Sequence, residues 1–246
     1  RGDTVYIGTT DTKFEYGKDK LHVLESEVEY LIESVKNTFS ISMDKKDIIS
    51  SWVGLRPLVK DGNKKVTEIS RKDEIFISEK GLITIAGGKL TGYRKMAQRA
   101  VDFAIRSLKI RKIKSKTKSI NLFTYDEDFC RKKFNDNGIS DKKFKRLYNI
   151  YGDGCLKILE ISKQEKISDN FIIAEYLYVR KNEMCHTLLD FFSQRNSGVY
   201  FEIDQIKRYV KILENYIRKN NSVSKDKWEK EKLSLQQYIS KLTTFI

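Results

Sequence analysis

Gly81-Leu82-Ile83-Thr84-Ile85-Ala86-Gly87-Gly88-Lys89-Leu90-Thr91-Gly92-Tyr93-Arg94 changes character at its centre. Leu82 to Ala86 is short, apolar, rich in β-branched residues and bounded by glycines, which reads as a buried strand. From Leu90 onward, Met96, Ala97, Ala100, Val101, Ala104 and Leu108 recur at helical spacing and form one apolar face. A helix from Leu90 to about Leu108 is therefore expected. Strand, double glycine and helix N-terminus together present unpaired backbone N–H groups and a positive dipole end to an anionic ligand atom. Glycine lets such a ligand approach the backbone closely, and Lys89 adds a full positive charge at the same corner. Taken alone, Gly-Gly-Lys reads first as a plain strand-to-helix turn.

Upstream, Ile75, Ile77 and the turn Glu79-Lys80-Gly81 predict a hairpin leading into that strand. Asp47 to Leu58, with Ile48, Ile49, Trp52, Val53, Leu55 and Leu58, predicts another buried strand. Arg56 sits among these apolar neighbours, where an isolated charge is costly, so it requires an internal carboxylate or a bound anion. A guanidinium's planar fork suits phosphate. Arg71, followed by Lys72-Asp73-Glu74, reads on its own as a solvated loop arginine. Thr4 to Thr12 alternates around Val5 and Ile7 and turns at Thr9-Thr10-Asp11, a strand entering a polar loop. Glu25 to Thr38 is an amphipathic helix with Val28, Leu31, Ile32 and Val35 on one face, and Phe39 enters the core. His22 falls in a charged loop and reads as solvated rather than catalytic.

Downstream, Lys109, Arg111, Lys112, Lys114, Lys116 and Lys118 form a basic run that reads as a solvated linker at a domain boundary. From about Tyr125 the pattern is helical throughout. Phe171 to Val179 is too apolar for a surface helix and is expected to be central. Ile206, Tyr209, Val210, Leu213 and Ile217 mark a further helix, and Trp228, Leu235, Ile239 and Leu242 mark the last.

At 246 residues and 39% hydrophobic content the chain can hold one large domain or two smaller ones. No apolar run approaches the roughly 20 residues that cross a bilayer, and no signal peptide is visible. The sequence opens at Arg1 without an initiator methionine and reads as part of something longer. A net charge of +14 points to an anionic partner, although lysine is frequent throughout. Nucleic acid is the poorer choice, because no stacking-aromatic or recognition-helix motif accompanies the charge. Cys130, Cys155 and Cys185 are odd in number and lack CxxC spacing. Neither a metal site nor a disulfide framework is indicated, and reduced thiols in a cytoplasmic setting are expected.

Ala86-Gly87-Gly88-Lys89-Leu90-Thr91-Gly92-Tyr93-Arg94 resembles the C-terminal flavin-site segment of the FAD-dependent glycerol-3-phosphate dehydrogenases. Two more blocks of that family precede it in the family's order: Tyr6-Ile7-Gly8-Thr9-Thr10-Asp11-Thr12 and Trp52-Val53-Gly54-Leu55-Arg56-Pro57-Leu58. Tyr148-Asn149-Ile150-Tyr151-Gly152 resembles the Tyr-Gly element of the family's C-terminal domain. Glu183, Thr187, Asp190 and Arg195 follow its Glu-x-x-x-Thr-x-x-Asp-x-x-x-Arg-Arg signature, with Gln194 in place of one arginine, and the family role of this signature is domain packing.

The resemblance implies an enzyme that oxidises sn-glycerol 3-phosphate to dihydroxyacetone phosphate, passing hydride to FAD and electrons onward to a quinone. It implies cofactor binding by Gly87, Gly88, Lys89, Leu90 and Thr91, and substrate-phosphate binding by Arg56 and Arg71 together with Lys89. Lys89 is the implied catalytic residue, polarising the substrate oxygen or offsetting charge on the flavin. The family's GxGxxG fingerprint occurs nowhere in this sequence, and the upstream histidine proposed as base is missing. The chain is thus expected to correspond to the C-terminal half of such an enzyme, neither retaining FAD nor turning over alone. A glycerol-3-phosphate oxidase that uses oxygen is the near variant. Some such oxidases carry a long insertion between Leu58 and Ser70, and the short connection here favours the dehydrogenase. A basic helical module that docks on membrane or protein is the alternative from another class.

The expected fold class is α+β: a small mixed β-sheet with flanking helices, then an all-α C-terminal helical domain. Residues 1–80 are expected in a substrate-binding sheet domain, 81–118 in the terminal strand and helix of a FAD-binding domain plus linker, and 119–246 in the helical domain. Expected partners are glycerol 3-phosphate, a quinone and an anionic surface on the inner face of the cell membrane, with a homodimer left open.

Overall fold

A computed structural model describes residues 1, 3–12, 17, 21–55, 73–111, 113–167, 171–220 and 222–245, with the backbone alone at Asp73. The chain divides into two compact units, residues 1–53 with 123–246, and residues 54–122.

In the second unit, β1 (Asp73–Ile77) and β2 (Ile83–Gly87) pair antiparallel, with Ile75 opposite Ile85 and Asp73 opposite Gly87. Ser78 closes the intervening turn: its N–H donates to the Leu82 carbonyl and its Oγ accepts from the Leu82 N–H, both at 3.0 Å. A 3₁₀ turn, Leu90–Gly92, leads into α2 (Tyr93–Ser107). The expected hairpin and helix are thus both present. The hairpin crosses the boundary expected at position 80, because the strands on its two sides pair with each other. No described residue of this unit is buried. That differs from the buried strand read from Leu82 to Ala86, since a two-stranded ladder and one helix cannot enclose a core of their own. After α2, the described residues to Leu122 form turns and irregular backbone. Arg94 Nη1 bonds Gln98 Oε1 at 3.1 Å and Thr117 Oγ1 at 3.2 Å, fastening the basic linker to α2.

The first unit is helical. It holds α1 (Glu25–Phe39), α3 (Glu127–Asn135), α4 (Asp141–Tyr151), α5 (Cys155–Gln164), α6 (Ile172–Asn182), a π-helical segment (Asp190–Arg195), α7 (Gly198–Phe201), α8 (Ile206–Asn220) and α9 (Lys225–Leu242). Caps set several starts: Asp126 accepts from the Phe129 N–H at 2.9 Å at the head of α3, and Ser224 accepts from Lys227 at 3.4 Å at the head of α9. The core comprises residues from α3 to α9, Phe134, Phe144, Leu188, Phe191 and Leu213 among them. As expected, α6 is central, with Ile172, Ala174, Tyr176 and Val179 buried.

One charged network crosses this core. Arg146 of α4 donates to Glu175 of α6 at 2.7 Å and to Glu202 at 3.1 Å. The Tyr151 hydroxyl donates to Glu175, and Tyr209 of α8 donates to Glu202, both at 3.1 Å. Burial works against the Arg146 charge, but the two carboxylates outweigh it and hold the guanidinium protonated. Burial pushes the Glu175 carboxyl up, against the pull of Arg146 and Tyr151.

Three further expectations differ from the structure. Thr4 to Thr12 has no ladder, and Val5 is 86% exposed. Asp47 ends a 3₁₀ turn (Lys45–Asp47), and residues 48–55 are irregular rather than a strand; residues 56–58 lie outside the described residues. Neither segment has a strand partner among the described residues, so alternation alone could not make them strands. Phe39 is 67% exposed instead of buried, because α1 ends there and Ser40 adopts a left-handed turn with φ 55°.

Candidate functional site

The corner between β2 and α2 is built by backbone conformation. Gly87 and Gly88 have φ of 79° and 78°, in the left-handed region that costs an L-residue its Cβ clearance. Two such residues in succession turn the strand out of its ladder. Lys89 returns to extended backbone, φ −103° and ψ 144°, and its carbonyl accepts from the Gly92 N–H at 2.8 Å. The first N–H groups of a helix have no intrahelical acceptor. Those of Leu90 and Thr91 therefore open outward beside the exposed Lys89 side chain. Gly87, Gly88, Lys89, Leu90 and Thr91 form one continuous turn of donors, dipole and positive charge. This donor set fits an electron-rich, hydrogen-bond-accepting edge such as that of a flavin ring.

The register of the hairpin gives this corner a neighbour in sequence. Asp73 lies opposite Gly87, so the chain enters β1 at the same end of the hairpin from which Gly88 and Lys89 leave. Arg71 precedes Asp73 by two residues. Arg71 and Arg56 themselves lie outside the described residues. The structure thus brings the five cofactor-site candidates together, and gives no position for the two arginines.

In the first unit, the hydroxyls of Thr10 and Thr12 each donate to Glu27 Oε1 at 2.7 Å, and the Leu24 N–H donates to Glu27 Oε2 at 3.4 Å. Burial raises the Glu27 pKa, but these three donations and the nearby His22 prevail and hold it below the usual carboxylate range. The Thr9-to-Thr12 block is thereby tied to α1. The Glu183-to-Arg195 signature proves to be a loop-closing cap. Thr187 Oγ1 accepts from the Asp190 N–H at 3.0 Å, while Asp190 Oδ2 accepts from the Thr187 N–H at 2.9 Å, a reciprocal capping box. Arg195 donates twice to the Glu183 carbonyl, at 3.0 and 2.7 Å. These residues close the connection between α6 and the π-helical segment. That is local loop closure within the helical unit.

The sequence did not mark Tyr200 and Phe201 of α7, yet their rings surround Trp52, with centroid separations of 5.2 and 5.9 Å. No local pattern could have found this, since the partners stand about 150 residues apart. Nor did it mark Glu175, whose one visible signal is a lone carboxylate in the apolar run from Phe171 to Val179.

Residues 1–94 match the profile of the FAD dependent oxidoreductases, and residues 115–227 match that of the C-terminal domain of alpha-glycerophosphate oxidase. The chain is 36% identical to the aerobic glycerol-3-phosphate dehydrogenase of Bacillus subtilis and 34% identical to that of Staphylococcus haemolyticus. Each comparison covers 85% of this chain and 41% of the relative. The fold is also similar to the crystal structure of the glycerol-3-phosphate dehydrogenase from Bacillus halodurans complexed with FAD. The TM-score is 0.76 at 27% identity, covering 96% of this chain and 49% of that one. The chain therefore spans less than half the length of the relatives that it matches.

Proposed function

Because this chain belongs to the family of FAD-dependent glycerol-3-phosphate dehydrogenases, we propose that it supplies the glycine corner and the substrate arginines of an enzyme oxidising sn-glycerol 3-phosphate to dihydroxyacetone phosphate. One observation supports this reading: Asp73 lies opposite Gly87 in the hairpin, and Arg71 precedes Asp73 by two residues in the sequence.

FAD, when bound, supplies the hydride acceptor. Gly88, Lys89, Leu90 and Thr91 direct backbone N–H groups and the helix dipole toward negative charge at this corner, and Gly87 and Gly88 keep it free of side chains. Arg56 and Arg71 grip the phosphate as planar, charge-assisted forks. Held there, the phosphate orients the carbinol carbon and provides binding energy remote from the reacting bond. Lys89 polarises the substrate oxygen and offsets the charge that develops nearby.

In this reading residues 1–80 belong to the substrate side, 81–118 to the end of the FAD-binding part, and 119–246 to a helical domain. The proposed electron acceptor is a quinone, in keeping with the short Leu58-to-Ser70 connection. Among the described residues no helix is long and apolar enough to cross a membrane. The basic run from Lys109 to Lys118 instead suits contact with anionic headgroups, at about 1 kcal/mol per residue near such a surface.

The test is made on the full-length gene product that contains this sequence. Purified protein is expected to hold FAD, to lose its flavin absorbance on addition of sn-glycerol 3-phosphate, and to reduce a soluble quinone analogue without forming peroxide. Peroxide in place of quinone reduction would move the assignment to the oxidase. A flavin spectrum indifferent to sn-glycerol 3-phosphate would overturn it.

A further inference from the structure

The Tyr-Gly element from Tyr148 to Gly152 ends in a turn that receives the chain just ahead of α3. Gly152 has φ 56° and ψ −137°, backbone that glycine adopts and side-chain-bearing residues resist. It opens the 3₁₀ turn Gly152–Gly154. A Cβ on Gly152 would stand within 2.9 Å of three carbons of the Phe123 ring. The ring therefore lies directly on the glycine, with Tyr148 beside it at 6.5 Å between centroids. Asp153 Oδ2 accepts from the Thr124 N–H at 2.7 Å and from the Tyr125 N–H at 3.3 Å. One turn thus holds three successive residues, a ring by Gly152 and two amides by Asp153.

The two sides of this contact are unequally built. On the receiving side, a Cβ on Gly154 would stand 2.5 Å from the Tyr178 hydroxyl of α6, so the turn is pressed against the core. Tyr151, buried just before the turn, donates to Glu175. On the other side Phe123 is 51% exposed and Tyr125 45% exposed. An exposed segment held by few contacts opens locally, at far less cost than unfolding the core beneath it. We propose that Gly152 and Asp153 form a clasp and residues 123–125 a strap. The clasp fixes the chain's entry into α3 and releases it by local opening while the helical core stays folded. The Asp126 cap lies immediately beyond the strap, and Tyr125 stacks on Phe129 with ring centroids 4.7 Å apart. The first turn of α3 therefore persists when the strap lifts, because its cap belongs to the helix end itself. The Tyr-Gly element then has a task of its own: Tyr151 anchors the turn, and Gly152 receives the ring.

The experiment uses the full-length gene product with Asp153→Ala, Asp153→Asn, Phe123→Ala and Gly152→Ala. Gly138→Ala is the control: its φ of 68° brings backbone strain to the same helical unit, with no atom within 4 Å of the added Cβ. Hydrogen exchange is read at the Thr124 and Tyr125 amides. Asp153→Ala is expected to speed both about 10-fold or more, and Asp153→Asn, which keeps an acceptor without the charge, by less. Phe123→Ala is expected to speed the Thr124 amide as well. Chymotrypsin cleavage after Phe123 is expected to quicken in Asp153→Ala in parallel. The buried amides of α5 and α6 are expected to keep the parental rate in these variants. Equal acceleration there would make Asp153 a general support of the core and overturn the proposal. Parental exchange at Thr124 and Tyr125 in Asp153→Ala would overturn it as well. Strap exchange no faster in Gly152→Ala than in Gly138→Ala would reduce Gly152 to a strained turn and remove the clasp. Should Gly152→Ala fail to fold, Asp153→Ala and Phe123→Ala still decide, since both side chains reach solvent.

Discussion

Asp73 and Gly87 occupy opposite positions of one antiparallel ladder, and their pairing ties together two motifs that are separate in the sequence. Residue 73 follows the Ser70-Arg71 pair, and residue 87 opens the glycine corner. Because side chains alternate with period two, a slip of one position would turn every β1 side chain to the other face. In an antiparallel hairpin the start of β1 and the end of β2 share one end, here at Asp73 and Gly87. Gly88 and Lys89 leave from that same end.

The corner itself is the first place to test. Gly88→Ala forces a Cβ onto backbone at φ 78°, at a cost of about 1–2 kcal/mol. In the full-length enzyme, FAD affinity measured by titrating the apoprotein is expected to fall at least about 10-fold, which corresponds to about 1.4 kcal/mol. Gly81→Ala serves as the control. Its φ of 83° imposes similar strain at the opposite end of the hairpin, and FAD affinity there is expected to stay near the parent value. Equal losses in the two variants would mean that the corner matters only for stability.

Arg56, Arg71 and Lys89 are expected to divide their effects. Arg56→Ala and Arg71→Ala should each raise KM for sn-glycerol 3-phosphate about 10- to 100-fold, the equivalent of a charged hydrogen bond worth about 1.5–3 kcal/mol. Lys89→Ala should lower kcat more than it raises KM, because its charge is needed most where charge develops. Steady-state kinetics on the three variants separates these outcomes. A Lys89→Ala enzyme with parental kcat would remove Lys89 from the chemistry.

The hairpin, the glycine corner and α2 were legible because each is specified locally, by periods of two and 3.6 and by a pair of glycines. The cap formed by Thr187 and Asp190 was not read from the sequence, although its T-x-x-D spacing is close to a helix-start signal. Tyr6 and Trp52 show where such reading stops. Their alternating neighbours look like strands, but a strand exists only with a partner, and here the support comes from α7, far along the chain. Arg146, Glu175 and Glu202 illustrate the same limit for charge. Each is an ordinary charged residue in the sequence until packing brings the three together and buries Glu175.

That buried network gives a stability prediction. Removing one member strands its partner's charge in the core, at a cost of about 3–5 kcal/mol. Arg146→Met should therefore lower the urea midpoint sharply, whereas the double variant Arg146→Met with Glu175→Gln should recover part of the loss. A double variant no better than Arg146→Met would show that the arginine contributes by packing its stem rather than by pairing.

Asp190 links the cap to pH. Burial works to raise its pKa, but the His186 and Thr187 donations outweigh burial and hold the carboxyl below its usual value. A folded pKa lower than the unfolded one means that the ionised carboxylate stabilises the fold. That contribution is complete above the ordinary carboxylate range and is lost as pH falls through the folded value. Asp190→Ala is expected to cost about 1 kcal/mol near neutrality, typical for a lost helix cap. The gap between parent and variant should then narrow steadily as urea melts are repeated below about pH 4. A gap that stayed constant to low pH would mean that Asp190 holds the loop by shape, with its charge contributing nothing.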